Sequence, residues 1–215
     1  MILESILVAT GVIAAAKLIG RLIGSLISRW GTKNAPPPER IKAPLSETDK
    51  KMAEETRNVI KEKFGDNAVE TLKNASNKGR LDLMEDFAKT LAIKYGLDDI
   101  EVDVTLENAN DCGSYNWGSK KLVFNIINIM NPDIDNFDFY VRDAIDTIIH
   151  ELRHAVQHKA INTPGFWDVD EETRNKWKAN TENYIRPEVD FRGYALQPIE
   201  VDARTFADEA MSEVK

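Results

Sequence analysis

The chain has 215 residues, of which 42% are apolar and 30% charged, so a single substantial domain with a buried core is the better expectation. This composition excludes collagen, a disulfide scaffold and a wholly disordered chain. The net charge of −8 argues against a nucleic-acid backbone as the main partner, and we expect no nucleic-acid binding. With one cysteine, Cys112, an intramolecular disulfide is also excluded.

The N-terminal segment differs from the rest of the chain. Residues 1–44 carry six basic and two acidic side chains, a net charge of +4, so the other 171 residues carry −12. The stretch before Lys17 is apolar and the stretch after it is amphipathic, which predicts a hydrophobic or amphipathic helix over residues 2–30. Such a helix would be roughly 40 Å long, enough to span a bilayer at a tilt. Because Glu4 stands where a basic n-region would be, a cleavable signal peptide fits poorly.

Three interpretations of residues 2–30 remain open. The helix could attach the protein to a membrane, and the basic residues that follow would then favour a cytoplasmic body. It could instead dock into a larger protein assembly such as a virion, or pack as an ordinary core helix. A proline-rich linker over residues 31–45 follows, with four prolines between Ala35 and Pro44. We therefore place the main domain at residues 46–215, with a helical part over 46–95 and a core over 96–215.

Periodicity within this domain predicts mostly helices with a small sheet between them, an α+β fold. Ser46 and Asp49 are typical of a helix start and Gly65 of a helix end. The predicted helices cover Glu47–Phe64, Asp66–Asn77, Leu81–Tyr95, Asp138–Ile161, Asp168–Asn183 and Gln197–Val214. The predicted strands are Ile100–Leu106 and Lys121–Asn128, with a loop over Asn108–Gly118.

One motif in the long helix carries chemistry. His150, Glu151 and His154 form an HExxH sequence, in which two histidines four residues apart can bind one cation. The glutamate beside the first histidine can then accept a proton from a metal-bound water. The alternative is a set of solvated polar residues on a helix face, which the apolar surroundings disfavour.

The third ligand must come from elsewhere in the chain. His158 lies eight residues after His150, about 12 Å along the helix, which is too far for the same metal. A carboxylate or a sulfur therefore has to complete a catalytic zinc site. Glu200 is the best candidate, because small Ala203 and Ala207 on its helix allow close packing against a neighbouring helix. The alternative is a surface Glu200 paired with Arg204.

These residues carry a resemblance to a known family. The chain resembles a zincin metallopeptidase of the gluzincin kind, and Glu200-x-x-Ala203-x-x-Phe206-Ala207 is similar to the ExxAxxFA run of ImmA/IrrE-like peptidases. The segment from Gly113 to Asn125 resembles the edge strand that minimal zincins place above the metal. The resemblance covers about residues 100–210 and implies a zincin-like domain with a small mixed sheet. It departs from thermolysin-type enzymes at Arg204, where those carry an aspartate.

The resemblance implies a zinc-dependent peptidase. His150, His154 and Glu200 would hold Zn²⁺, Glu151 would act as the general base, and Tyr194 could hydrogen-bond the oxyanion. The alternative, from a different class, is a structural or assembly protein that carries a zincin-like fold, with or without activity, and is tethered to a membrane or a virion.

Other residues receive weaker interpretations. Arg153 and Arg192 could bind a substrate carboxylate, but we expect both to face solvent. His158 is expected to pack or cap, and Cys112 to be a loop residue, although its sulfur could approach the metal.

The mode of substrate binding follows from the expected sheet. Residues 122–127 are predicted to form the outer strand, so that an extended polypeptide substrate adds to its free edge. Side-chain selectivity would then come from pockets near Tyr115, Trp117 and Phe166.

Overall fold

The structure, a computed structural model, describes residues 41–106 and 112–214. The predicted helix over 2–30 and most of the predicted linker lie outside the described residues. The chain divides into two units after Ile41, and the fold below is that of the second unit. Within the part of this unit that the structure describes, no helix is long and apolar enough to cross a membrane.

Local sequence signals set the helix ends. Helix α1 has the predicted bounds, because Ser46 and Asp49 form a reciprocal capping box at its start and Gly65 adopts a φ of 73° just after its end. The other predicted helices lie close to their predicted positions, and one short helix, residues 191–195, was not predicted. The helices are α1 (Glu47–Phe64), α2 (Ala68–Asn74), α3 (Asn77–Lys94), α4 (Phe137–Asn162), α5 (Glu171–Glu182), α6 (Phe191–Ala195) and α7 (Pro198–Ala210).

Three strands form one mixed sheet, so the predicted α+β class is confirmed. The strands are β1 (Glu101–Thr105), β2 (Gly113–Asn116) and β3 (Lys121–Asn125), in the order β1-β3-β2. β3 pairs in parallel with β1 and antiparallel with β2.

The sheet corrects two predictions. Residues 122–127 do not form the outer strand, because β3 lies between β1 and β2 and is paired on both sides. The predicted loop over Asn108–Gly118 contains one of the two edge strands, β2, whose short polar sequence lacks an apolar alternation. The side chain of Asn116 accepts the N–H groups of Gly118 and Ser119, and this turn closes the β2–β3 hairpin.

Helix α4 is the centre of the domain. It packs against α7 on one side, against β2 and β3 on another, and also contacts α2, α3 and α5. Its apolar face is buried throughout, with Ile145, Ile148, Ile149 and Leu152 fully inaccessible. The side chains on the buried face of this helix are therefore held in place by packing, which suits a site that needs fixed geometry.

Candidate metal centre

Helix α4 places the two histidines of the HExxH motif side by side. The Nε2 atoms of His150 and His154 lie 3.1 Å apart. Glu151 lies next to them, and the ligand atoms of these three residues are all within 4.8 Å of one another. The group is therefore close enough together to hold a metal ion.

Glu200 reaches the same point from helix α7. Its Oε2 lies 3.3 Å from His150 Nε2, and its Oε1 lies 3.5 Å from His154 Nε2. Glu200 is 1% exposed, so the alternative of a surface residue is wrong. The approach is possible because Ala203 and Ala207 are buried, as expected, where α7 packs on α4. The structure thus brings together the three residues predicted as metal ligands.

The electrostatics of this group favour an ionised carboxylate. Burial alone would raise the pKa of Glu200, but hydrogen bonds from His150 and His154 and the positive charge of a protonated His154 hold it well below its usual range. Burial likewise would lower the pKa of His154, yet contacts with Glu200, Glu151 and Gln157 raise it to about 9. Without metal, a protonated His154 therefore provides the positive charge beside Glu200 that a bound cation would otherwise provide.

The edge strand β2 passes directly over the helix beside Glu151. A Cβ atom on Gly113 would lie 2.7 Å from Thr147 Cγ2 and 3.5 Å from Glu151 Cγ. Only glycine allows the backbone to approach the helix this closely. Glu151, the candidate general base, is therefore close both to the two histidines and to the backbone of β2.

Two tyrosines lie beside Glu200. Tyr184 donates a hydrogen bond to Glu200 Oε1 at 2.7 Å, and its ring lies 6.1 Å from that of Tyr194. Burial and the adjacent Glu200 carboxylate raise the pKa of Tyr194, so its hydroxyl stays protonated as a donor at neutral pH. Tyr194 was predicted at the site and Tyr184 was not, because a tyrosine in a loop sixteen residues before Glu200 has no distinguishing pattern.

Arg153 was expected to face solvent, and this is wrong. Its side chain is fully buried, and its Nε and Nη2 donate to Asp202 at 2.8 and 3.1 Å. Its Nη1 lies 2.7 Å from Asp49 Oδ1. The two groups form an ion pair, but the geometry is not that of a hydrogen bond. The rings of Trp167, Trp177 and Phe206 surround the guanidinium. An arginine between two carboxylates can be buried where a lone one cannot.

The remaining residues lie outside the metal group. His158 contacts Tyr115 through a 3.1 Å hydrogen bond and packs on Trp117, in agreement with the expected packing role. The Cys112 sulfur is 3.4 Å from Asp143 Oδ2 and is not part of the metal group. Phe166 packs near Lys159 and Gly96.

Neither a family model, a curated protein nor a solved structure matches this chain.

Proposed function

We propose that this protein is a zinc-dependent peptidase. The observation that supports the proposal most strongly is the convergence of two imidazole nitrogens and one carboxylate from two helices, at separations of 3.1, 3.3 and 3.5 Å. A tetrahedral zinc with bonds of about 2.0–2.1 Å holds its ligand atoms about 3.3 Å apart. The donor set of His150, His154 and Glu200 therefore fits zinc in both chemistry and spacing, and leaves a fourth position for water.

Each residue would have a defined role in peptide hydrolysis. Bound zinc would supply a Lewis acid that acidifies a water molecule and polarises the scissile carbonyl. Glu151 would accept the proton of the attacking water and return it to the leaving amine. Tyr184 and Tyr194 both lie beside Glu200, and Tyr194 could donate a hydrogen bond to the oxyanion.

The substrate would be an extended polypeptide bound along β2. Among the described residues β2 pairs with β3 on one side only, so its other edge can add a strand. Gly113 brings that edge within reach of Glu151. This moves the proposed docking edge from residues 122–127 to residues 113–116. Attachment to a membrane or a larger assembly through residues 2–30 stays a prediction.

The proposal is tested by metal analysis and peptide cleavage with a Glu151→Gln variant. We expect the wild-type protein to bind one zinc and to cleave unstructured peptides. Glu151→Gln should keep the zinc and lose about 10²- to 10⁴-fold in cleavage rate, the usual contribution of a general base. Glu172→Gln, an exposed glutamate on α5 paired with Lys176, is the matched control and should cleave normally. Unchanged cleavage by Glu151→Gln would contradict the mechanism.

A further inference from the structure

Gln157, three residues after His154, is fully buried and makes three directed hydrogen bonds. Its Nε2 donates to the Ile199 carbonyl at 2.9 Å and to Asp202 Oδ2 at 2.7 Å. Its Oε1 lies 2.8 Å from His154 Nδ1. No part of this amide therefore faces water, and each of its polar atoms has a buried partner.

The partners determine which way the amide faces. A carbonyl and a carboxylate can only accept hydrogen bonds, so the NH₂ group of Gln157 has to point at Ile199 and Asp202. Its oxygen must then face His154, and Nδ1 of that ring must donate. A reversed amide would place its oxygen against the Asp202 carboxylate, which is repulsive.

The orientation of His154 has a direct consequence for the metal site. When Nδ1 carries a proton that is donated to Gln157, the lone pair of the neutral ring lies on Nε2. That atom faces His150 Nε2 and Glu200 Oε1. The hydrogen bond thus selects the tautomer that can bind a metal and fixes the plane of the ring.

Asp202 is in turn held in place by Arg153. The guanidinium donates two hydrogen bonds side-on to the Asp202 carboxylate, and the rings of Trp167, Trp177 and Phe206 pack around it. At its other end Arg153 is paired with Asp49, whose Oδ1 also accepts the indole N–H of Trp167 at 2.8 Å. The chain of contacts therefore runs from the metal-site histidine to the first turn of α1.

We propose that Gln157 is a positioning residue for the metal site, which fixes the tautomer of His154 and is itself oriented by Asp202 and Arg153. This inference rests on the proposed metal site. Gln157 is placed to act through His154, without touching metal or substrate.

Two substitutions separate positioning from a general effect on folding. Gln157→Met keeps the volume but removes the acceptor for His154 Nδ1. We expect its zinc affinity, measured by competition with a chromophoric chelator, to fall by about 10- to 100-fold. Gln157→Glu keeps the acceptor but places a second carboxylate beside Asp202, so it should lose stability and still bind zinc within a few fold of wild type. Arg80→Met, at a buried arginine remote from the metal group, is the control and should lose stability with unchanged zinc affinity.

A measurement on the wild-type protein covers the case in which Gln157→Glu does not fold. In ¹⁵N NMR of the zinc-loaded protein, His154 should carry a slowly exchanging proton on Nδ1. A proton-free Nδ1, or an unchanged zinc affinity in Gln157→Met, would overturn the inference and leave the proposed function intact. The inference would also be overturned if zinc affinity fell in step with the free energy of unfolding in every variant, including the Arg80→Met control. A wild-type protein that binds no zinc would overturn the inference and the proposed function together.

Discussion

Glu200 and His150 lie fifty residues apart in the chain, yet their side chains meet at 3.3 Å in the interior of the domain. The contact depends on the packing of α7 across α4, where the small side chains of Ala203 and Ala207 are buried. A carboxylate buried this deeply needs a partner, and without metal the protonated ring of His154 supplies the positive charge. The ligand set is therefore already assembled in the folded chain.

Glu200→Gln should weaken zinc binding by more than about 100-fold, because it replaces an anionic ligand by a neutral amide in a buried site. The measurement is a zinc titration against a competing chelator. Glu209→Gln, at a half-exposed glutamate on the same helix paired with Arg57, is the matched control and should bind zinc as the wild type does. Equal affinities in both variants would show that Glu200 is not a ligand.

Zinc affinity should rise with pH up to about 9. In the metal-free protein the pKa of His154 is raised to about 9, mainly by Glu200 acting against burial, so zinc must displace a proton over this range. We expect up to about a tenfold gain in affinity per pH unit between about 6.5 and 9. By the same linkage, the stability that the His154–Glu200 pair gives the metal-free protein is present below about pH 6.5 and is lost as the pH rises through 9.

The Glu200→Gln variant is the control for this pH dependence. Without the carboxylate the pKa of His154 should fall, and the rise in its residual zinc affinity should move to lower pH. A zinc affinity of the wild-type protein that is flat between pH 6.5 and 9 would contradict the prediction.

Asp146 on α4 should destabilise the metal-free protein above pH 6. Burial raises the pKa of Asp146 to about 6, and the negative charges of Asp208 and Asp143 add to this rise. The electrostatic interaction with His150 opposes it. A raised carboxyl pKa gives full stability below about pH 4 and loses it as the pH rises through 6. Asp146→Asn should therefore add about 3 kcal/mol to the free energy of unfolding at pH 7 and much less at pH 4. Denaturant titrations at both pH values measure this, with exposed Asp98→Asn as a control that should show no such difference.

Arg153→Met should cost about 3–5 kcal/mol of unfolding free energy, because it leaves the buried carboxylates of Asp49 and Asp202 without a cation. The comparison is Lys78→Met, which breaks an exposed i,i+4 pair with Asp82 and should cost less than about 1 kcal/mol. Denaturant unfolding of both variants gives the difference. Similar losses would mean that the Arg153 network does not hold α4, α7 and α1 together.

Gly113→Ala should push β2 away from the helix, because the new methyl group would lie 2.7 Å from Thr147 Cγ2. Overpacking of this kind costs about 1–3 kcal/mol, and we expect peptide cleavage to fall as the edge moves away from Glu151. In Gly118→Ala, in the adjacent turn, the new methyl group would meet only Asn116 Oδ1 at 3.5 Å. This variant should therefore keep both its stability and its peptide cleavage. Thermal unfolding and peptide cleavage of both variants are the measurements. Normal cleavage by a folded Gly113→Ala would contradict a role for this edge.

Local patterns predicted most of the helices well, and the proximity of Glu200 to the two histidines was predicted at long range. The capping residues Ser46 and Asp49, and the apolar period around His150, act within a few residues, so the ends of α1 and the course of α4 can be read directly. Glu200 could be predicted because small residues on its helix indicate close packing.

The errors concern contacts between distant segments. The apolar run Leu122–Phe124 identifies β3 as a strand but carries no information about its order in the sheet, which depends on pairing with β1 and β2. The burial of Arg153 depends on Asp49 and Asp202, both far from it in sequence. Tyr184 approaches Glu200 through the course of a loop, for which no periodic signal exists.

X-ray absorption at the zinc edge of the zinc-loaded protein tests the metal centre most directly. We predict one zinc per chain, four nitrogen or oxygen neighbours at about 2.0–2.1 Å, and the outer-shell signals of two imidazole rings. The set corresponds to His150, His154, Glu200 and a water. A sulfur neighbour at about 2.3 Å, as from Cys112, or a single imidazole in the outer shell would contradict the proposed centre.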